Sequence, residues 1–174
     1  MTISLNSPNV ENYYVGKGVV FIKFDGDVDY VDVGNVTELE FTPNLEKLDH
    51  FSSREGVRTK DRSIVIEKSA ELKMVMEEYT ARNLSMLLLG EITDVSGAIT
   101  IDIFSTNVKT AAVRFVGANE IGPQWTLDFP RVDFAPSGSM NPISDEWGTI
   151  EVTGEVVTVD GSFGTATATF PDSP

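Results

Sequence analysis

The chain carries few residues with which to do chemistry. His50 is the only histidine and there is no cysteine. Thiolate nucleophiles, zinc-thiolate sites and disulfides are therefore excluded, and any imidazole-dependent triad must be built on one residue. His50 lies in LDHFSSREGVRTKDR, residues 48–62, beside Asp49 and among Arg54, Glu55, Arg58, Lys60, Asp61 and Arg62. No nucleophile-elbow, phosphate-loop or dinucleotide-loop spacing accompanies it. A lone histidine at a strand end in so charged a segment fits a surface or interface role better than catalysis. Asp25, Asp27, Asp29 and Asp32 resemble a calcium loop in composition. However, glycine directly follows the first aspartate, and the twelfth position, which needs a bidentate glutamate, is Val36. Asp25-Gly26 reads instead as a tight hairpin turn. Neighbouring carboxylates such as Glu38 with Glu40, or Glu77 with Glu78, would suit glycoside hydrolysis only if one were held in an apolar pocket. On alternating strands they read as a solvated face. The expectation is a chain with no catalytic, cofactor-binding or metal site.

The elements that must carry these residues are mostly strands. GVVFIKF, beginning at Gly18, is dense in β-branched and aromatic residues. Over residues 35–51, Leu39, Phe41 and Leu45 alternate with Glu38, Glu40, Asn44 and Glu46 until Leu48 and Phe51 break the pattern, as a bulge does. Residues 63–79 alternate again, with Ile64, Ile66, Ala70, Leu72, Met74 and Met76 on one face and Glu67, Ser69, Glu71, Lys73 and Glu77 on the other. Two such runs are far longer than an ordinary strand of about five or six residues, and with residues 48–62 between them they predict a long protruding hairpin loop. Residues 80–90 make the one convincing helix, capped by Thr80 and ended by Gly90. Further strands are expected at 98–104, 111–116, 124–129 and 148–159, with Pro130, Pro136 and Pro142 punctuating the region between the last two. The fold class is mainly β, a sandwich or barrel-like fold with one short flanking helix. A single domain over 1–174 is expected, with a flexible N-terminal segment (1–12) and a C-terminal arm from about residue 160.

The formal net charge is −14. An acidic surface cannot grip phosphates through counterion release, but it repels a nucleic acid that must pass without sticking. Three long strands present acidic faces: Glu38, Glu40 and Glu46; Glu67, Glu71 and Glu77; Glu151 and Glu155, with Lys73 the exception. Like charges across strands destabilise a sheet, so a sequence that tolerates them is using the field or solvating an outer face. The start of the chain has neither a basic segment nor an apolar stretch, and MLLLG is too short to span a bilayer. A protein made in the cytoplasm without membrane contact is expected.

The ordered set NYYVGKG, GNVTELEFTPNLEKLDHFSS and GVRTKD, leading into a second long strand and a short helix, resembles the major tail tube proteins of long-tailed bacteriophages over residues 12–90. The resemblance implies a virion structural protein without cofactors, forming hexameric rings that stack into a hollow tube through which double-stranded DNA passes unbound. Its inner barrel would come from residues 35–51, 62–79, 131–139 and 148–157. It implies that Glu38, Glu40, Glu46, Glu67, Glu71, Lys73, Glu77, Glu151 and Glu155 line the lumen. It implies also that Asp49, His50, Arg54, Glu55, Arg58, Lys60, Asp61 and Arg62 form a loop reaching the next ring. Partners would be further copies of the chain and the tail terminator, tape measure and tail-tip proteins. A related ring-forming tube or tail-terminator protein is the nearest alternative. A sandwich module binding carbohydrate or cell surfaces through Trp125 and Trp147 is the more distant one.

Overall fold

The alternation is realised as ten strands and one α-helix in a computed structural model that describes residues 8–54 and 56–170. A short 3-10 turn (Val10–Asn12) leads into β1 (Gly18–Phe24), β2 (Val31–Asp32), β3 (Val36–Ser52) and β4 (Thr59–Met76). Helix α1 (Ala81–Leu88) follows, then β5 (Glu91–Val95), β6 (Ala98–Asp102), β7 (Lys109–Gly117), β8 (Gln124–Pro136), β9 (Ile150–Val156) and β10 (Thr165–Thr169). The class is mainly β, with antiparallel sheets and one short helix. One sheet runs β2-β1-β7-β8-β9-β4-β3, with β10 joined to β8, while β5 and β6 pair only with each other.

β8 explains how a single hydrogen-bonded sheet encloses a core. Its first half pairs with β10 (Trp125 opposite Ala168), its second half with β9 (Phe134 opposite Gly154), and β7 flanks both halves. The turn between halves falls at Pro130. There the register slips between Ala111 and Val113 of β7, so β8 carries one extra residue and the missing N–H breaks no ladder bond. The proline that reads as a strand end in the sequence is a bend within one strand. The sheet thus curls until Phe41 of β3 meets Phe129 of β8, ring centroids 5.1 Å apart. Val20 and Ile22 of β1, Leu72 and Met74 of β4, and Val152 of β9 are buried in one cluster with Met86 of α1.

Thr80 caps α1 as expected, its hydroxyl accepting from the Asn83 N–H at 3.1 Å. The helix ends on Leu89 in the left-handed region (φ 46°) rather than at Gly90. Gly90 is needed for close approach: a Cβ there would stand 2.3 Å from the Ile101 side chain. Three further expectations are corrected. Residues 48–62 are mostly strand, since β3 and β4 stay paired out to Ser52 opposite Thr59 and only 53–58 connect them. Of the segment expected as a C-terminal arm, Thr165–Thr169 form β10 along β8. The β5–β6 hairpin, turned by Ser96 (φ 57°) and Gly97 (φ 86°), contains a strand absent from the sequence reading. Residues 1–7 of the expected N-terminal segment lie outside the described residues.

Candidate functional site

The four strands that match the expected inner-barrel segments, β8, β9, β4 and β3, are consecutive neighbours. One face of this layer is apolar: Val132 and Phe134 of β8, Val152 of β9, and Leu72 and Met74 of β4 are buried. The residues between them point the other way and bring the expected acidic set together. Glu71 of β4 lies opposite Glu155 of β9, which lies opposite Asp133 of β8, so three carboxylates cross the layer in a row. Beside it, Glu40 is opposite Lys73. The Lys73 ammonium reaches Glu38 at 3.1 Å and Glu151 at 3.6 Å. The hydrogen bond to Glu38 leads in raising the pKa of Lys73, with the Glu151 charge adding to it. Glu46 and Glu67 form a like-charged rung farther along the same face. Glu77 lies just past β4, where its carboxylate accepts from the Asn35 amide.

Asp133 is the acidic residue of the row that the expected lumen set leaves out, although the resemblance places its segment, 131–139, in the inner barrel. Burial works to raise its pKa, but hydrogen bonds from Arg131 and from Thr110 (2.7 Å) hold it below the usual carboxylate range. Its contribution to stability is therefore present above the unfolded value of about 3.9 and is lost as pH falls through the depressed folded value. Asp133→Asn is expected to cost about 1 kcal/mol at pH 7. The gap to wild type should close as thermal melts are repeated from pH 5 toward pH 3.

Beyond Ser69 the hairpin leaves the layer. β9 pairs with β4 only over 71–76, so residues 45–52 and 59–68 form a two-stranded ribbon with no third strand. An extra residue in β4, at Ile66, shifts the register between Glu46 and Lys47. Ile64 consequently sits opposite Leu48 on the face of Glu46, not on the face of Ala70 as the alternation predicts. Leu45, Leu48, Val65 and Ile66 are all exposed.

At the tip, His50 Nδ1 lies 2.6 Å from Asp61. Asp49 receives Ser63 Oγ and Lys60 Nζ, both at 2.7 Å, with Lys60 first in lowering its pKa. The histidine and serine hydrogen bonds thus go to different aspartates and make no triad. Arg62 pairs opposite His50 on the ribbon, and Arg58 stacks over the Phe51 ring at 5.4 Å. Arg54 lies in the connection, while Glu55 lies outside the described residues. Asp27 of the aspartate-rich turn is ion-paired with Arg82. Among the described residues no cluster of three or more His, Asp or Glu could hold a metal, and no helix is long and apolar enough to cross a membrane. Trp125 stands on β8 and Trp147 in the β8–β9 connection, where Trp147 borders a polar hollow of about 580 Å³.

These features define an antiparallel, mainly β protein whose distinctive surfaces are an acidic sheet face and an exposed apolar ribbon. The chain belongs to the family described as protein of unknown function UCP028589, which matches residues 13–102. No curated protein matches it in sequence. Among solved structures it is similar to a chain in the virion of a native gene transfer agent particle, at 14% identity, covering 86% of this chain and 95% of that one, with a TM-score of 0.44. It is similar also to a chain in the tail of an empty gene transfer agent particle with C6 symmetry (14% identity, 87% and 95% covered, TM-score 0.41). A third likeness is to a chain of the six-fold symmetrised baseplate of the anti-feeding prophage (11% identity, 95% and 94% covered, TM-score 0.46).

Proposed function

We propose that the chain is a non-enzymatic structural subunit of a phage-type tail tube, in which six copies close a ring and rings stack around a hollow lumen. One observation carries this reading. The four strands that the sequence resemblance assigns to an inner barrel are contiguous in the sheet, and they end in β3, whose outer edge is open along 17 residues. A monomer seldom leaves so long an edge unpaired, because it templates strand addition. Set side by side around a common axis, with the open edge of β3 against the next copy, such layers make a wall whose acidic face turns inward. DNA then slides past a wall that offers its phosphates nothing to bind. The exposed ribbon reaches toward the adjacent ring, where Arg54, Arg58, Lys60 and Arg62 meet acidic groups of a like-charged neighbour.

The test reverses the field without disturbing the fold. Glu46 and Glu67 face each other, as do Glu71 and Glu155, and none of the four makes an ion pair among the described residues. Changing all four to lysine exchanges like-charged rungs for like-charged rungs, so cross-strand repulsion stays similar while the sign of the wall changes. Tubes are expected to assemble and DNA transit to slow, read as delayed or lost infectivity of virions carrying the variant. Normal infectivity with assembled tubes would remove the acidic wall from the mechanism.

A further inference from the structure

Two side chains are far more exposed than their chemistry favours: Ile143 at 97% and Trp147 at 93%. Both lie in the connection between β8 and β9, and that connection is anchored. Tyr79 donates to the Thr149 carbonyl at 3.2 Å, and Gly148 packs so closely on the Tyr79 ring that a Cβ would stand 2.7 Å from it. Ser144 accepts from the Glu146 N–H at 3.0 Å. An apolar pair held out on an anchored loop loses little conformational freedom on docking.

The molecule also has an apolar groove of about 340 Å³ between β1 and β3. Val20, Leu39, Leu72, Phe115 and Leu127 line it, with Lys17 at its rim. The groove opens along the free edge of β3. Val36, Met76 and Ile150 share one row of the layer, so the start of β3, at the free edge, and the connection before β9, two strands away, lie at the same end. When copies are arranged around one axis that runs along the layer, the connection of one copy comes level with the groove of the next. Lys17 at that groove meets the acidic Asp145 and Glu146 that precede the tryptophan; its own ion pair with Glu120 is long, at 3.8 Å, and exposed.

We infer that Trp147, with Ile143 on the same connection, seats in the β1–β3 groove of a second copy of this chain and is the anchor of the lateral contact. The inference rests on the ring reading and specifies the contact that closes it. A knob and a groove on different surfaces make a head-to-tail contact, the kind that forms rings, and a buried tryptophan is the commonest energetic anchor of an interface. Trp147→Ala is expected to leave the monomer folded, with an unchanged melt, because nearly the whole side chain is exposed in its own copy. Lateral association, read by mass photometry, should weaken by about thirtyfold or more, the effect of losing a central anchor. Because the chain has no cysteine, Glu146→Cys and Thr37→Cys proteins can be mixed under oxidising conditions. A disulfide dimer is expected from the mixture and from neither protein alone. If wild type stays monomeric at every concentration, the ring reading fails and this inference with it. If wild-type rings form but Trp147→Ala rings form equally well, or no mixed disulfide appears, the seating of Trp147 is overturned while the ring reading stands.

Discussion

Phe134→Ala is expected to destabilise the chain by about 3–5 kcal/mol, the cost of removing a fully buried aromatic side chain and leaving its cavity. Phe134 is fully buried near the C-terminal end of β8, directly opposite Gly154 of β9. Its ring occupies the space a side chain at 154 would need: a Cβ there would come within 2.9 Å of the Phe134 ring and 2.5 Å of Val132. With alanine at 134, nothing on the facing strand can fill the void. For a chain of this size each kcal/mol moves the midpoint by about 2–4 °C, so thermal denaturation should shift down by roughly 6–20 °C. A loss below about 1 kcal/mol would mean that the core collapses around the gap and that β8 is not its centre. Phe51→Ala is the control, since that ring is 40% exposed on the ribbon and its loss should be close to neutral.

Replacing residues 46–67 by Asn-Gly is expected to have the opposite profile, with folding intact and assembly gone. The replacement leaves Leu45 paired with Lys68 as the last rung, closed by a two-residue turn whose twist suits a hairpin. The removed ribbon has no third strand and exposes Leu48, Val65 and Ile66 to water. A two-stranded ribbon in water is marginal by itself, so the melting midpoint should stay within a few degrees of wild type. What is lost is the exposed apolar surface that the proposed stacking covers. Electron micrographs should contain single rings or monomers in place of tubes. Tubes of normal length from this variant would overturn the assignment of the ribbon to stacking.

The parts of this architecture legible in the sequence are those where one face is buried. Leu72, Met74 and Met76 against Glu71, Lys73 and Glu77 gave away β4, and the same alternation marked β3 and β9. Alternation fails where both faces are wet. The β5–β6 hairpin is exposed nearly throughout, so it shows no period and only β6 was foreseen. Residues 48–62 read as a loop because charged residues dominate them, yet a ribbon exposed on both faces can be as polar as a loop and still pair. A bulge defeats the reading in another way. One extra residue at Ile66 moves Ile64 to the other face, and composition alone does not mark where the count slips. Pro130 reads as a break between 124–129 and 131–139, although a proline at a bulge costs the ladder nothing and the two are one strand. The acidic face was visible as a list of glutamates; their row across three strands needed the pairing.

The passage of β8 through Pro130 also determines how the subunit bears load. Its first half is bonded to β10 and its second to β9, with β7 alongside both. A pull applied to the β9–β4–β3 side therefore reaches the β10 side along one covalent backbone, rather than across side-chain contacts that slide. Separating the two halves requires shearing ladders of hydrogen bonds together, not peeling one sheet from another. A tube made of such subunits would bend as a unit, its wall deforming with its outer layer.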